Sequence, residues 1–283
     1  MQVANSKEHI TEIISGLRKK DTSIGFVPTM GALHKGHLSL IKKALQENDV
    51  VFVSIFVNPT QFNNKKDLEN YPRTLDRDVA LLKTVSETKI FVYAPSVQDI
   101  YGKKTMSTRF DFDGIENEME GEFREGHFDG VGTIVKRLFE IVTPDKVYFG
   151  EKDFQQLQII RKLVKKNNLP VKIVGCKIHR ETSGLAMSSR NERLLPEYKK
   201  EASFIYKTLK EAKKKFGTKS ATKVTEWVKE QFKKKELLTL EYFIIADIDT
   251  LKPVKRKSHL KKYRAFIAVY AGEIRLIDNI ALN

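Results

Sequence analysis

Two histidines three residues apart, His34 and His37, stand in PTMGALHKGH, between an apolar run and an amphipathic one. If a helix begins near Gly36, both imidazoles lie at its N-terminus, where unpaired main-chain N–H groups and the helix dipole favour an anion. Gly31 and Gly36 remove side chains that would keep the backbone away from such a ligand. Imidazole N–H donors there suit the oxygens of a triphosphate and the charge that develops as pyrophosphate leaves. Zinc ligation and two unrelated surface histidines are the competing readings. No cysteine or third histidine stands nearby, and the spacing is not that of a metal-binding helix.

Other short stretches carry groups for the same chemistry. Lys152, in GEKD, can neutralise phosphate charge in a transition state. Ser188, Ser189 and Arg190, in AMSSRN, add two hydroxyls and a guanidinium that grips phosphate oxygens bidentately. Gln61 of NPTQF and Gln156 are amides that both donate and accept, which fits a substrate with hydroxyl and carboxylate groups. Taken singly, each has a plainer reading as a solvated loop lysine, a serine-rich turn or a surface glutamine. No GxGxxG follows the first strand, which counts against a dinucleotide dehydrogenase, and the absence of GxxxxGK[ST] excludes a P-loop.

The elements that must position these groups follow from hydrophobic periodicity. SIGFVPT (23–29) reads as a buried strand and HLSLIKKALQEND as a helix; VVFVSIFV is an apolar run of the kind a central parallel strand shows. A helical pattern covers 74–87, KIFVYAP is a strand, and TRFDFDG is a further candidate strand. GVGTIVKRLFEIV, KVYFG, FQQLQIIRKLVKKNN and VKIVGC continue the helix–strand alternation. Such alternation implies an α/β, Rossmann-like, doubly wound parallel sheet. Ligands of these sheets bind beyond the carboxyl ends of the strands, where all the polar clusters above fall. After residue 176 two lysine-rich helical patterns precede three strand-like runs. The expected domains are therefore 1–176, binding nucleotide and acid substrate, and 177–283, a smaller α+β lid.

Composition narrows the function classes. With 283 residues, 41% hydrophobic and 31% charged, the chain is of soluble globular type. No apolar run approaches the ~18–20 residues of a membrane span, and the N-terminal MQVANSKEHI has no secretory character, so a cytoplasmic location is expected. The single cysteine, Cys176, cannot form an internal disulfide; its apolar neighbours make it a buried small hydrophobe. The net charge of +15 fits a nucleic-acid binder or an enzyme for anionic substrates. Residues 199–220 hold eight lysines against two glutamates, a solvated helix face in the simplest reading. Their aromatics, Phe204, Tyr206 and Phe216, fall at core spacing, which disfavours nucleic acid as a partner.

The ordered set FVPTMGALHKGH, FVNPTQF, REGHFDGV, YFGEKDFQQL and GLAMSSRN resembles the pantothenate synthetase (pantoate–β-alanine ligase) family. The resemblance is densest from about 24 to 192. Its first motif is a variant of the HIGH-type signature of nucleotidylyltransferases and class I aminoacyl-tRNA synthetases. It implies ATP-dependent condensation of (R)-pantoate with β-alanine through a pantoyl adenylate, with ATP as substrate, Mg2+ arriving on the nucleotide and no protein ligand assigned to it, and a homodimer. It implies His37, His34 and Lys152 as catalytic residues. ATP would be lined by Met30, Gly31, His34, His37, Gly150, Glu151, Lys152, Asp153, His179, Met187, Ser188, Ser189 and Arg190. The acid substrate and β-alanine would meet Gln61, Gln156, Thr29 and Arg124. His179 departs from the family pattern, standing where a small apolar residue usually touches the nucleotide, and Gly102 replaces a frequent proline. A nucleotidylyltransferase with another acceptor and an RNA-binding or tRNA-synthetase-like protein are the alternatives.

Overall fold

The computed structural model describes residues 1–63 and 65–283. Among them six strands form one parallel sheet: β1 (Gln2–Ala4), β2 (Ile24–Thr29), β3 (Val50–Ile55), β4 (Ile90–Tyr93), β5 (Lys146–Gly150) and β6 (Lys172–Cys176). Their order is β1-β4-β3-β2-β5-β6. The apolar runs of β2 and β3 are explained by cover on both faces: Ile24, Phe26 and Val27 are buried, as are Val50 to Val53. Helices Lys35–Glu47, Leu75–Lys83, His127–Val142 and Phe154–Lys166 lie in the connections between successive strands from β2 to β6. Phe26 meets Phe139 of the 127–142 helix edge-on at 6.4 Å. Truncating a buried ring of this kind costs about 3–5 kcal/mol.

Strand order reverses at β2, with β3 on one side and β5 on the other. The carboxyl ends of β2 and β5 therefore flank the switch point at which doubly wound sheets open a ligand crevice. PTMGALHKGH leaves one of those ends and GEKD the other.

Two expectations are revised. TRFDFDG is not a strand. The Thr108 and Phe110 amides donate to Thr133 Oγ1 (2.8 Å) and Asp129 Oδ1 (3.0 Å), side chains of the 127–142 helix, so they are spent on a helix rather than a neighbouring strand. Conversely, Gln2–Ala4 does pair, with Phe91–Tyr93 of β4; three residues are too few for periodicity to register.

The chain divides into two compact units, Met1–Glu151 with Gln155–Lys177, and Ile178–Asn283 with Lys152–Phe154. In the second, helices Pro196–Thr218 and Ala221–Phe232 pack on an antiparallel meander of β7 (Leu238–Asp247), β8 (Tyr263–Ala271) and β9 (Ile274–Ala281). Ile205, Leu209 and Phe216 enter its core beside Val224, Val228 and Phe232. Phe216 stands edge-on to Tyr263 and Phe204 to Phe232. These rings are packing contacts. Several lysines are engaged locally: Lys213 bonds the Ala281 carbonyl, Lys235 pairs with Glu201, and Lys215 lies over Trp227. No described helix is long and apolar enough to cross a membrane. Cys176 closes β6 as a buried thiol, its pKa pushed up to about 11 chiefly by burial.

Candidate active site

Beyond β2 the chain makes a short left-handed excursion before the helix begins. Thr29 Oγ1 donates to the Ser54 carbonyl of β3 (2.7 Å) and accepts the Gly31 amide (3.1 Å), tying the turn to the sheet. Gly31 has φ +84° and Ala32 φ +49°. A Cβ on Gly31 would stand 3.1 Å from both Asp78 Oδ2 and Ile55 Cγ2. Asp78, buried on the 75–83 helix, accepts the amides of Ala32 (2.9 Å) and Leu33 (2.7 Å). Burial pushes its carboxyl above the usual range, against the pull of those two amides.

His34 is the N-cap of the Lys35–Glu47 helix. Its Nδ1 accepts the Gly36 amide (3.1 Å), while Nδ1 of His37 accepts the His34 amide (3.3 Å). This is a reciprocal capping box built from two imidazoles, whose ring centroids lie 4.0 Å apart. The sequence offered unpaired amides to an anion, but those of Ala32, Leu33, His34 and Gly36 already have protein acceptors. Gly31's bare Cα makes room for Asp78 and Ile55 and permits the positive φ. The hydrogen-bond pattern instead assigns the neutral-ring proton to Nε2 of both histidines, so the corner's donors are Nε2–H groups.

At the end of β3, Pro59–Gln61 form a tight turn against the 127–142 helix. A Cβ on Gly130 would lie 2.2 Å from the Thr60 carbonyl oxygen, so only glycine permits that approach. Asn58, 1% exposed, donates to Gln61 Oε1 (3.1 Å) and accepts the Tyr101 hydroxyl (2.6 Å). Gln61 Nε2 in turn points at Met30 Sδ (2.8 Å). Arg124 Nη2 donates to the Gln61 carbonyl (3.2 Å), and His127 Nδ1 lies 2.9 Å from the same oxygen. Arg124 is thus engaged in holding the Gln61 turn.

Two adjacent glutamines have different surroundings. Gln155 is buried, donating to the Ile115 and Glu118 carbonyls and accepting the Glu120 amide. Gln156 is half-buried in the same first helical turn.

Gly150 and Glu151 belong to the first unit, Lys152 and Asp153 to the second. Lys152 Nζ lies 3.5 Å from Asp153, and its main-chain carbonyl accepts Asn279 Nδ2 of β9 at 2.8 Å. In the second unit Arg180 pairs with Ala186, and the His179 carbonyl accepts the Met187 amide at 3.0 Å. The His179 imidazole is exposed, so its departure from the family pattern leaves this pairing intact. Ser188 caps the short 3-10 turn Ser189–Arg193 by accepting the Arg190 amide at 3.3 Å.

Residue reasoning overlooked Asn58 and Asp78. Asn58 offered one signal, a polar side chain ending an apolar run. Asp78 offered another, a carboxylate on the same helical stripe as Leu82 and Val85. No group of three or more His, Cys, Asp and Glu gathers among the described residues.

A profile of the family described as Pantoate-beta-alanine ligase matches residues 2–281. The pantothenate synthetase of Christiangramia forsetii is 59% identical over 283 residues, 100% of both chains. That of Flavobacterium psychrophilum is 63% identical over 261 residues, 92% of each. Among solved structures, pantothenate synthetase from Thermus thermophilus superposes with a TM-score of 0.91 at 36% identity, covering 100% of this chain and 99% of that one. The ligase from Francisella tularensis, complexed with Beta-gamma ATP and Beta-alanine, gives 0.81 at 37% identity, with 100% and 98% covered. With the sheet, the imidazole corner and likeness along the full length all in agreement, this chain belongs to the pantoate–β-alanine ligase family.

Proposed function

We propose that this chain condenses (R)-pantoate with β-alanine at the expense of ATP, through an enzyme-bound pantoyl adenylate, releasing AMP and pyrophosphate. A carboxylate acylates an amine poorly until its oxygen becomes a leaving group, and adenylation supplies that. The pantoate carboxylate attacks the α-phosphorus in line and pyrophosphate departs. The β-alanine amine then attacks the acyl carbon and expels AMP. Such displacement asks the protein chiefly for positioning and charge neutralisation.

The observation that carries this reading is the paired capping of His34 and His37, which turns two imidazoles into Nε2–H donors at the carboxyl end of β2 in a chain that the family profile matches over residues 2–281. In it, His34 and His37 donate to the ATP phosphates. Lys152, Ser188, Ser189 and Arg190 neutralise phosphate charge. Met30, Gly31, Gly150, Glu151, Asp153, His179 and Met187 contribute to the nucleotide's surroundings, largely through main-chain groups. Gln61 and Gln156 hold pantoate, with Gln61 also near β-alanine; Thr29 and Arg124 brace the Gln61 side of that site. Magnesium is assigned to phosphate oxygens and water, arriving with the nucleotide. The family likeness also supports a cytoplasmic homodimer; sedimentation at micromolar protein would test the dimer.

Exchange of labelled pyrophosphate into ATP, with β-alanine absent, tests the reading. Exchange that requires pantoate supports reversible adenylation of that acid. A folded, ATP-binding protein that exchanges nothing would overturn it. Gln156→Ala is expected to raise the KM for pantoate about tenfold or more and that for ATP by less than about threefold, the scale of a lost hydrogen bond or two to a charged group. An ATP-only defect would remove Gln156 from the pantoate site.

A further inference from the structure

Lys152–Phe154 is a three-residue segment held by β8 and β9 of the second unit, although the residues on either side belong to the first. Four contacts are seen there. Asn279, 2% exposed on β9, donates from Nδ2 to the Lys152 carbonyl at 2.8 Å. Arg264 of β8 donates to Asn279 Oδ1, fixing which way the amide faces. The same guanidinium lies over the Phe154 ring, 4.0 Å from its centroid, and Phe154 packs on Phe266.

The neighbouring residue, Asp278, extends the anchor. Its buried carboxylate accepts the main-chain N–H of Asn279 (2.7 Å) and forms a two-point pair with Arg180, at 2.6 and 2.9 Å. Arg180 also donates to the Gly184 carbonyl and stacks on Tyr206 at 3.6 Å. The dipeptide Asp278–Asn279 thus braces the segment leading to Ser188–Arg190 with one side chain and the Lys152 main chain with the other. A surface lysine on a mobile turn places its charge loosely; one whose own carbonyl is bonded to a buried amide begins from a fixed Cα. Preorganised charge is what stabilises a transition state at no cost in reorganisation.

We infer that Asn279, oriented by Arg264, is a positioning residue for Lys152, acting on adenylation without touching substrate. This rests on the reading of Lys152 as a phosphate-neutralising residue. Asn279→Ala is expected to lower kcat for pantothenate formation by about ten- to hundredfold, the penalty of displacing a reacting group by about an ångström. KM for ATP and pantoate should move by less than about threefold.

A double-mutant cycle with Lys152→Ala separates positioning from general structural support. If Asn279 acts through Lys152, its substitution lowers the residual rate of the Lys152→Ala enzyme by less than about threefold. Equal, multiplicative losses in both backgrounds would overturn the inference, as would a near-normal kcat in Asn279→Ala. Should Asn279→Ala fail to fold, Asn279→Asp serves in the same cycle. It keeps the acceptor for Arg264 and removes the donor to Lys152, and the same outcomes apply. A fully active Lys152→Ala enzyme would remove both Lys152 and Asn279 from the mechanism while leaving pantothenate formation by the wild type standing. A wild type that forms no pantothenate would overturn the functional reading and, with it, this inference.

Discussion

Lys152→Ala should lower the rate of pantoate adenylation by at least about a hundredfold while leaving the thermal midpoint within a few degrees of wild type. Little stability is at stake. The lysine's ion pair is a 3.5 Å contact with Asp153, whose side chain is 48% exposed, and pairs of this kind contribute about 0–1 kcal/mol. The anchor of this segment is its main chain, bonded to Asn279, which alanine preserves. On the proposed reading, what is lost is a charge facing the phosphates while negative charge builds on the departing pyrophosphate. Removing one preorganised donor of that type costs about 10²–10³ in rate. Pyrophosphate exchange and calorimetry on the same preparation would measure both quantities. Near-normal exchange would take Lys152 out of the reaction, and a large fall in midpoint would mean that its role is structural. Lys152→Arg should recover only part of the activity, because a planar fork does not replace a point charge of that reach.

His37→Asn divides the two roles of an imidazole within one substitution. Nδ1 of His37 accepts the His34 amide, and the side-chain oxygen of asparagine reaches a similar position, so the cap survives. The Nε2–H has no counterpart in asparagine. The expected result is a midpoint change of no more than a few degrees with at least about a hundredfold loss of exchange. His37→Gln reverses the selection, since its amide extends toward the Nε2 position while its oxygen no longer matches Nδ1. It should retain more activity than His37→Asn and lose up to about 1 kcal/mol of stability, the worth of a helix cap. Equal, near-wild-type exchange in both variants would mean that the phosphates are held by other groups. Equal loss of folding in both would make the histidine pair a structural cap.

The basic character of the chain is not a guide to its chemistry. Its lysines crowd the 196–218 and 221–232 helices and the turn that follows, where several already meet Glu201, Glu211, Glu230 or a carbonyl of the same unit. The groups assigned to phosphate are few and lie at strand ends and turns instead.

Much of this was legible in the residue order. Parallel strands buried on both faces need uninterrupted apolar runs, so IGFVPT and VVFVSI announced themselves, and the 3.6-residue repeat marked the helices between them. His34, His37, Gln61 and Lys152 stood out because they follow those runs directly, where an open sheet leaves its backbone ends toward a ligand. Local order also implied a helix start at the histidines, since a cap acts over three or four residues. Contacts across long sequence separations were not legible. That Asp78 would occupy the amides of Ala32 and Leu33, 46 and 45 residues away, depends on how the 75–83 helix docks on the sheet. The same holds for Asn279 reaching Lys152 across 127 residues. The sequence by itself determined the alternation, the strand ends and the inventory of donors, because these follow from periodicity and nearest neighbours. Only the tertiary structure decided that Asp78 takes the amides of Ala32 and Leu33, and which strand holds the lysine. Each of those depends on hydrogen-bond partners that packing, and nothing local, brings within reach.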